Sequence, residues 1–302
     1  MAVTSDVTEY GRLRRAPDER VNPITSIPFW LLHLLPLLAI FTGVPWQIWL
    51  LAVWMYWSRM FFITAGYHRY FAHKSYRMNR FWQFIFAFGG ATAAQKGPLW
   101  WAAHHRDHHR YSDTDRDVHS PRKGFWWSHV GWILCDKFNA TKEENIRDFT
   151  RFPELCWLNR HDWVATWTAG SFCAFVGFAT GIGGGWVAVL RGGAAGLLIG
   201  FFLSTVVLWH ATFTVNSLAH VWGTRRYTTT DTSRNNVVIA LYTGGEGWHN
   251  NHHRYQQSVR QGFVWWQIDT TYYVLWLLSK VGVVRGLKQP RREVVFQGYM
   301  RH

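Results

Sequence analysis

Cysteine is scarce in this chain. Three of its 302 residues are cysteine, at Cys135, Cys156 and Cys173, and no two form a C-x-x-C pair. An odd, sparse set excludes a disulfide framework and fits a reducing compartment. The stretch Met1 to Arg20 is polar and lacks an apolar core, so it does not read as a cleaved signal peptide. Acidic residues are also few: 18 Asp and Glu stand against 32 Lys and Arg, a formal net charge of +14. Such a balance raises nucleic acid as a partner. The charge here flanks apolar runs instead of forming one stripe, so nucleic acid is set aside. An anionic membrane surface or an anionic substrate headgroup suits the charge better. No internal repeat or low-complexity segment interrupts the chain.

What is abundant is tryptophan, 21 residues, within an aromatic content of 18%. Aromatic residues at this density are typical of rings placed at a membrane interface. Four apolar runs carry the reading further, at about 27–43, 45–65, 163–190 and 192–215. Each is near the roughly 20 residues that a bilayer crossing needs. They pair as two hairpins, the first turning at Gly43-Val44-Pro45 and the second at Arg191. The expected fold is an all-α integral membrane protein with four transmembrane helices and a helical cytosolic cap. The cap is drawn from 66–162 and 216–285, with a polar arm at 1–24 and a basic tail at 286–302. Within it, Phe81 to Ala94 and Phe263 to Val284 read as helices lying in the interface. Of the Lys and Arg residues, fifteen lie between the hairpins, four before the first and eleven after the second. Only Arg191 lies at a far turn. The positive-inside rule puts both termini and the cap in the cytoplasm, as in a multi-pass protein of a bacterial inner membrane or its equivalent.

The cap holds the chemistry. His105, His108 and His109 stand at i, i+3 and i+4, on one face of a helix. His249, His252 and His253 repeat that spacing. His68 and His73 follow the first hairpin, and His220 follows the second. Three imidazoles on one face pack poorly but make good ligands for Zn, Cu, Fe or Ni. Nine are too many for one ion and suit two. His68 and His73, five apart, fall about 140° apart on an ideal helix. They straddle a helix end or serve different metals. His104 stands i, i+4 from His108, and periodicity alone does not exclude it. His33, His119, His129, His161, His210 and His302 read as ordinary histidines.

Three boxes in order carry a family resemblance: H-x-x-x-x-H at 68, H-x-x-H-H at 105 and H-x-x-H-H at 249, with N-S-x-A-H at 216. Gly66-Tyr67-His68-Arg69, Asp117-Val118-His119-Ser120-Pro121 and Gly244 to Asn250 extend the match. Over roughly residues 25 to 285 the chain resembles the membrane fatty-acyl desaturases of the stearoyl-CoA (delta-9) type, in a bacterial-like form without a fused cytochrome b5 domain. The resemblance implies two iron ions, Fe2+/Fe3+, bound by His68, His73, His105, His108, His109, His220, His249, His252 and His253. Asn216 then reaches the metal through water. Gln95, Trp101 and Thr212 match the bend of the family's acyl tunnel. At Ala103 and His104 the acyl-CoA enzymes carry Arg-Asp, so His104 is not taken as a ligand and the acyl carrier is either CoA or a phospholipid. Arg122, Lys123, Lys137 and the N-terminal arginines are open both to a phosphate contact and to a solvated role. Carboxylates that orient the imidazoles are sought nearby, at Asp107, Asp113, Asp117 and Glu246.

The expected function is insertion of a cis double bond, at delta-9 by resemblance, into a saturated C16–C18 acyl chain. An unactivated methylene is inert to protein acids and bases, so a metal must supply the oxidising power from O2. Reduction of O2 to water takes four electrons, two from the substrate and two from a donor. No haem-attachment, flavin or nucleotide motif is present. A separate ferredoxin, rubredoxin or cytochrome-type donor with its reductase is therefore expected, on the basic face. Two other readings stand beside this one. A histidine-box hydroxylase or ketolase acting on alkane, sterol or carotenoid shares the metal chemistry. A metal-binding membrane carrier or sensor calls for histidines inside the spans, where only His33 and His210 lie.

Overall fold

The structure, a computed structural model, describes residues 12–297. Among the described residues the chain is helical, with only isolated β-bridges beside the helices. Helix α1, Ile27–Leu34, passes into a 3-10 segment at Leu35–Phe41. Pro36 lies at that change, where its missing N–H cannot continue the α ladder. Helix α2, Trp46–Phe61, runs on through a π-helical segment, Phe62–Ala72. Helix α3, Arg80–Ala91, starts at Asn79, whose side chain accepts from the Trp82 N–H at 3.0 Å. Helix α4, Pro98–Tyr111, has proline in its first turn. Asn159 caps it from a distance, accepting from Leu99 N–H at 3.1 Å and Trp100 N–H at 2.8 Å. Two short helices follow, α5 at Arg147–Thr150 and α6 at Pro153–Arg160. Helix α7 is Asp162–Thr180, and helix α8 is Gly185–Ala195. A second π-helical segment, Gly196–Leu203, joins α8 to α9, Ser204–Asn216. The rest of the chain holds α10, Val237–Tyr242, α11, His249–Arg254, α12, Thr270–Lys280, and α13, Arg292–Gln297.

Two continuous helices are long and apolar enough to cross a membrane, Trp46–Ala72 with 27 residues and Gly185–His220 with 36. At 1.5 Å per residue they reach about 40 and 54 Å, beyond a hydrocarbon core of about 30 Å. His68 and His220 lie in the last turns of these two helices. Ile27–Phe41 is apolar but shorter. Trp30, Phe41, Trp54 and Trp186 lie on the outside of these helices, with Phe175 of α7 and Ile182 of the turn after it, each more than half exposed. A surface of this kind meets lipid, not water.

Several boundaries differ from the sequence reading. The second hairpin turns at 181–184, not at Arg191, which sits inside α8. Glycine decides the place: Gly183 and Gly185 take φ of +91° and +80°, open to glycine and strained for other residues. The interfacial helix expected at 263–284 is shorter, because Asp269 caps α12 by accepting from the Tyr272 N–H at 2.9 Å. The helix expected at 81–94 ends at Ala91. The N-terminal arm is not a free polar segment where it is described. Leu13 and Glu19 are buried, and Asn22 N–H donates to the Leu134 carbonyl at 2.9 Å. Residues 1–11 of the arm and 298–302 of the tail, with His302, lie outside the described residues.

Small residues let the second hairpin close. A Cβ on Gly196 would lie 2.2 Å from the Cys173 carbonyl oxygen, and one on Gly177 would lie 2.2 Å from that of Gly192. Such backbone contact is how helices pack where apolar burial offers no advantage over lipid. Arg59, 2% exposed, ties α2 to the long helix, donating to Ser204 Oγ at 2.5 Å and Thr205 Oγ1 at 2.6 Å. Gly196→Leu should cost on the order of 1–3 kcal/mol by overpacking. A denaturant titration in detergent should show it, while Val187→Ala on the exposed face should change little.

Candidate metal centre

The nine histidines converge as two groups. His68, His73, His105, His109 and His252 place one ring nitrogen each within 4.8 Å of all the others. His108, His220, His249 and His253 do the same. In the first group the Nε2 atoms of His68 and His252 are 3.0 Å apart, those of His73 and His105 2.9 Å, and those of His109 and His252 2.9 Å. In the second, His220 and His249 Nε2 are 3.1 Å apart. Helix α4 serves both groups, with His105 and His109 in one and His108 in the other. Helix α11 divides in the same way, His252 in the first and His249 and His253 in the second.

The π-helical segment explains His68 and His73. His73 N–H donates to the His68 carbonyl at 3.1 Å, an i to i+5 bond. That wider turn brings residues five apart over one another, where an ideal α-helix would separate them. Both therefore serve one group.

Behind the rings stand buried carboxylates. His108 Nδ1–H donates to Asp117 at 3.0 and 3.1 Å. His68 Nδ1 lies 2.5 Å from Glu246, and His253 Nδ1 lies 2.9 Å from Asp231. His220 Nδ1 is 3.4 Å from Asp113, which also accepts from Thr232 N–H at 2.5 Å and Thr232 Oγ1 at 2.6 Å. A proton fixed on Nδ1 turns the Nε2 lone pair inward. Glu246 is held in turn by Arg69 and by Gln261, each at 3.0 Å. Asp107 does not belong to this set. It receives Lys142 and, at 3.1 Å, Asn145, and so anchors α4 to the following loop.

Asp231 was not among the residues picked from sequence. It sits in Thr230-Asp231-Thr232-Ser233, a polar run eighteen residues before His249 with no metal-ligand spacing. Asn250, between ligands on α11, holds this loop through Tyr227, accepting from its N–H at 2.7 Å and donating to its carbonyl at 3.1 Å. His119 was read as ordinary, yet it stacks on His108 at 4.1 Å and is fully enclosed. His104 donates from Nδ1 to the Trp100 carbonyl at 2.9 Å and joins neither group.

The electrostatics favour cation binding. Burial, then the neighbouring imidazoles, hold His73, His105, His109, His249 and His252 well below the usual histidine range. Burial also lowers His253, to about 4, against the pull of Asp231. These rings stay neutral and keep their lone pairs. Burial pushes Asp117 upward, but His108 and His119 outweigh it and bring it down to about 2. Asp113, Asp231 and Glu246 are likewise held below the carboxylate range, against burial, by their histidine partners and other donors. His108 Nε2 and His253 Nε2 are buried without a hydrogen-bond partner. Four carboxylates behind two imidazole groups match the four positive charges of two divalent ions. The residues fit such a pair.

Two cavities meet beside the histidines. The larger, about 300 Å³, is walled by Phe29, Leu32, Trp209 and Phe213. The smaller, about 40 Å³, is lined by Met60, Ile63 and Thr64 together with His68, His108 and His249. Trp101, His105, Thr212 and Asn216 line both. At that junction Gln95 Nε2 donates to Thr212 Oγ1 at 3.0 Å, and Trp101 Nε1 donates to Gln95 Oε1 at 3.3 Å. The three residues picked from sequence thus form one hydrogen-bonded corner.

A family model described as fatty acid desaturase matches residues 44–283. The chain is 34% identical to "Delta-9 acyl-lipid desaturase 1" of Arabidopsis thaliana, over 95% of this chain and 92% of that one. It is 35% identical to "sn-2 palmitoyl-lipid 9-desaturase" of Nostoc sp. (strain 36), over 89% and 93%. It is also 36% identical to "Acyl-CoA C20 Delta5-desaturase" of Anemone leveillei, over 76% and 70%. Replacing Asp231 by asparagine should weaken metal retention by about 10–100-fold. Asp107→Asn should leave it unchanged. Metal bound per chain after dialysis against a graded chelator reads both.

Proposed function

The chain belongs to the fatty acid desaturase family, and on that footing we propose how this fatty-acyl desaturase works. It places a cis delta-9 double bond in a saturated C16–C18 chain carried on a membrane lipid. The observation that carries this reading is a pair of cavities that share Trp101, His105, Thr212 and Asn216, the smaller lined by histidines of both groups. Five histidines would hold one iron and four the other, and Asn216, which lines both cavities, would reach a metal through water. Iron, when bound, supplies the oxidising power from O2 that a methylene C–H demands.

The chain's own residues do the positioning. Trp101, Gln95 and Thr212 bend the acyl chain, so that one C–C bond faces the histidine groups. Walls of tryptophan and phenylalanine exclude water from it. Which carbons react is a depth measurement from the carrier at the mouth. One C–C bond oxidised to an alkene gives two electrons and two protons. An external donor gives two more electrons, solution gives two more protons, and O2 leaves as two waters. The donor is a ferredoxin, rubredoxin or cytochrome-type protein that docks on the basic cytosolic face. Four helices span the bilayer, with both termini and the cap in the cytoplasm. The count of cations on either side of the apolar runs supports that orientation.

A lipid carrier is favoured over CoA on three grounds. Ala103 and His104 are buried, and neither offers a cation for a CoA phosphate. Lys123 is buried and spent on Glu19, at 2.8 Å, and Lys137 is spent on Asp18, at 2.9 Å. The cavity is walled on one side by Pro28, Phe29 and Leu32 of α1, whose outer face exposes Trp30, Leu31 and Leu34. An opening beside such a helix faces the bilayer.

Membranes containing the protein, supplied with a reduced donor, should convert labelled stearoyl-phosphatidylcholine to its oleoyl form faster than labelled stearoyl-CoA. Mass spectrometry of the products reads both arms. Conversion of the CoA ester alone would contradict the carrier, and hydroxy acids without alkene would contradict desaturation. Thr212→Val, which removes the hydroxyl from the corner, should broaden the double-bond position while leaving metal content intact.

A further inference from the structure

A groove of about 420 Å³ opens on the flank of the cap and is lined by none of the nine histidines. Five cations border it, Lys74, Arg77, Arg80, Arg151 and Lys288, with one carboxylate, Asp148. That carboxylate is engaged by Lys74 at 2.7 Å and by Arg106 at 2.9 Å. Arg80 is engaged by Glu154 at 2.7 Å. Among the described residues the other three cations have no carboxylate partner. Arg77 and Lys288 are held through their backbones, to Arg285 and Ser75. Arg151 rests only on the Phe152 ring, 4.9 Å from its centre.

The groove also contains a buried donor with nothing to bind. Gln83 is 3% exposed, and its carbonyl accepts from Tyr70 Oη at 2.9 Å. Its Nε2 has no partner. Buried amide nitrogens are nearly always satisfied, and none of the described residues supplies an acceptor for this one, in a side chain that lines the groove. The surroundings specify that acceptor. Three unpaired cations and an amide donor suit an anionic group with several oxygens. The groove lies where α3 begins and where the chain returns after α12. Phe81 on α3 is 63% exposed, and Leu277 and Val281 at the end of α12 are 58% and 74% exposed. Cations beside exposed apolar side chains are the pattern of a surface seated at lipid headgroups.

We propose that this groove binds the phosphate of an anionic membrane-lipid headgroup, with Gln83 at its floor and Arg77, Arg151 and Lys288 at its rim. The site lies apart from the acyl cavity and fixes the cap against the membrane surface. Its ligand is a resident lipid, not the substrate.

Native mass spectrometry of the detergent-solubilised protein in micelles doped equally with phosphatidylglycerol and phosphatidylcholine tests this. The wild-type chain should retain phosphatidylglycerol in preference. The triple variant Arg77→Gln, Arg151→Gln, Lys288→Gln should lose that preference by at least about tenfold. Gln83→Leu, which leaves the charge unchanged, should also reduce it. Arg116→Gln, on another face, should not. Equal metal content across the variants reports that each is folded. Equal retention of the two lipids by the wild type, or unchanged preference in the triple variant, would overturn the site. Displacement of the lipid by millimolar inorganic phosphate would assign the groove to a soluble phosphate and overturn the lipid.

Discussion

Two divalent ions cannot be buried on neutral ligands alone. Nine imidazoles supply lone pairs and no charge, and an uncompensated charge out of water is costly. The structure answers this with Asp113, Asp117, Asp231 and Glu246, each set behind a histidine. They do two things at once. They neutralise charge, and they fix which nitrogen of each ring faces inward. The distribution is uneven. Three of the four stand behind the four-histidine group, and one behind the five-histidine group. The group with fewer imidazoles has more charge at its back.

Delivery of these ligands is a matter of helix length and pitch. The two long helices exceed the length a bilayer crossing needs, and their last turns bring His68 and His220 to the histidine groups. Both contain a π-helical segment, Phe62–Ala72 and Gly196–Leu203. The first reorients His73 onto His68, and the second lies against the glycine contacts that close the hairpin. Irregular turns of this type recur at functional sites, where helix pitch must bend to ligand geometry. The larger cavity is lined by Trp209, Thr212, Phe213 and Asn216 of the second of these helices and by Pro28, Phe29 and Leu32 of α1.

Much of the site was legible in the sequence because helical spacing is itself a metal signal. The two i, i+3, i+4 triads needed nothing but the period of an α-helix. At His68 and His73 that period gave two alternatives, and the pair straddles a helix end, His73 capping a π-helical segment that nothing in the sequence marks. Proximity in sequence misled at Asp107, which lies among ligands in sequence and points to Lys142 in space. Asp231 was missed for the opposite reason, being brought in by Asn250 across a loop. Helix ends were misjudged where local chemistry outranked hydropathy, with glycine turning the second hairpin before Arg191 and Asp269 starting α12 late. Nearness to a ligand in sequence found Asp113, Asp117 and Glu246, and only the fold separates them from Asp107.

The central claim is that the cap holds two metal ions in two unequal histidine groups. Iron per chain in the purified, reconstituted protein tests it most directly, measured by elemental mass spectrometry beside single variants in each group. The wild-type protein should bind two irons. His249→Ala and His252→Ala should each lose one and retain most of the other. A wild-type content of one iron, or complete loss of both from either variant with the helical fold intact, would contradict two separate sites.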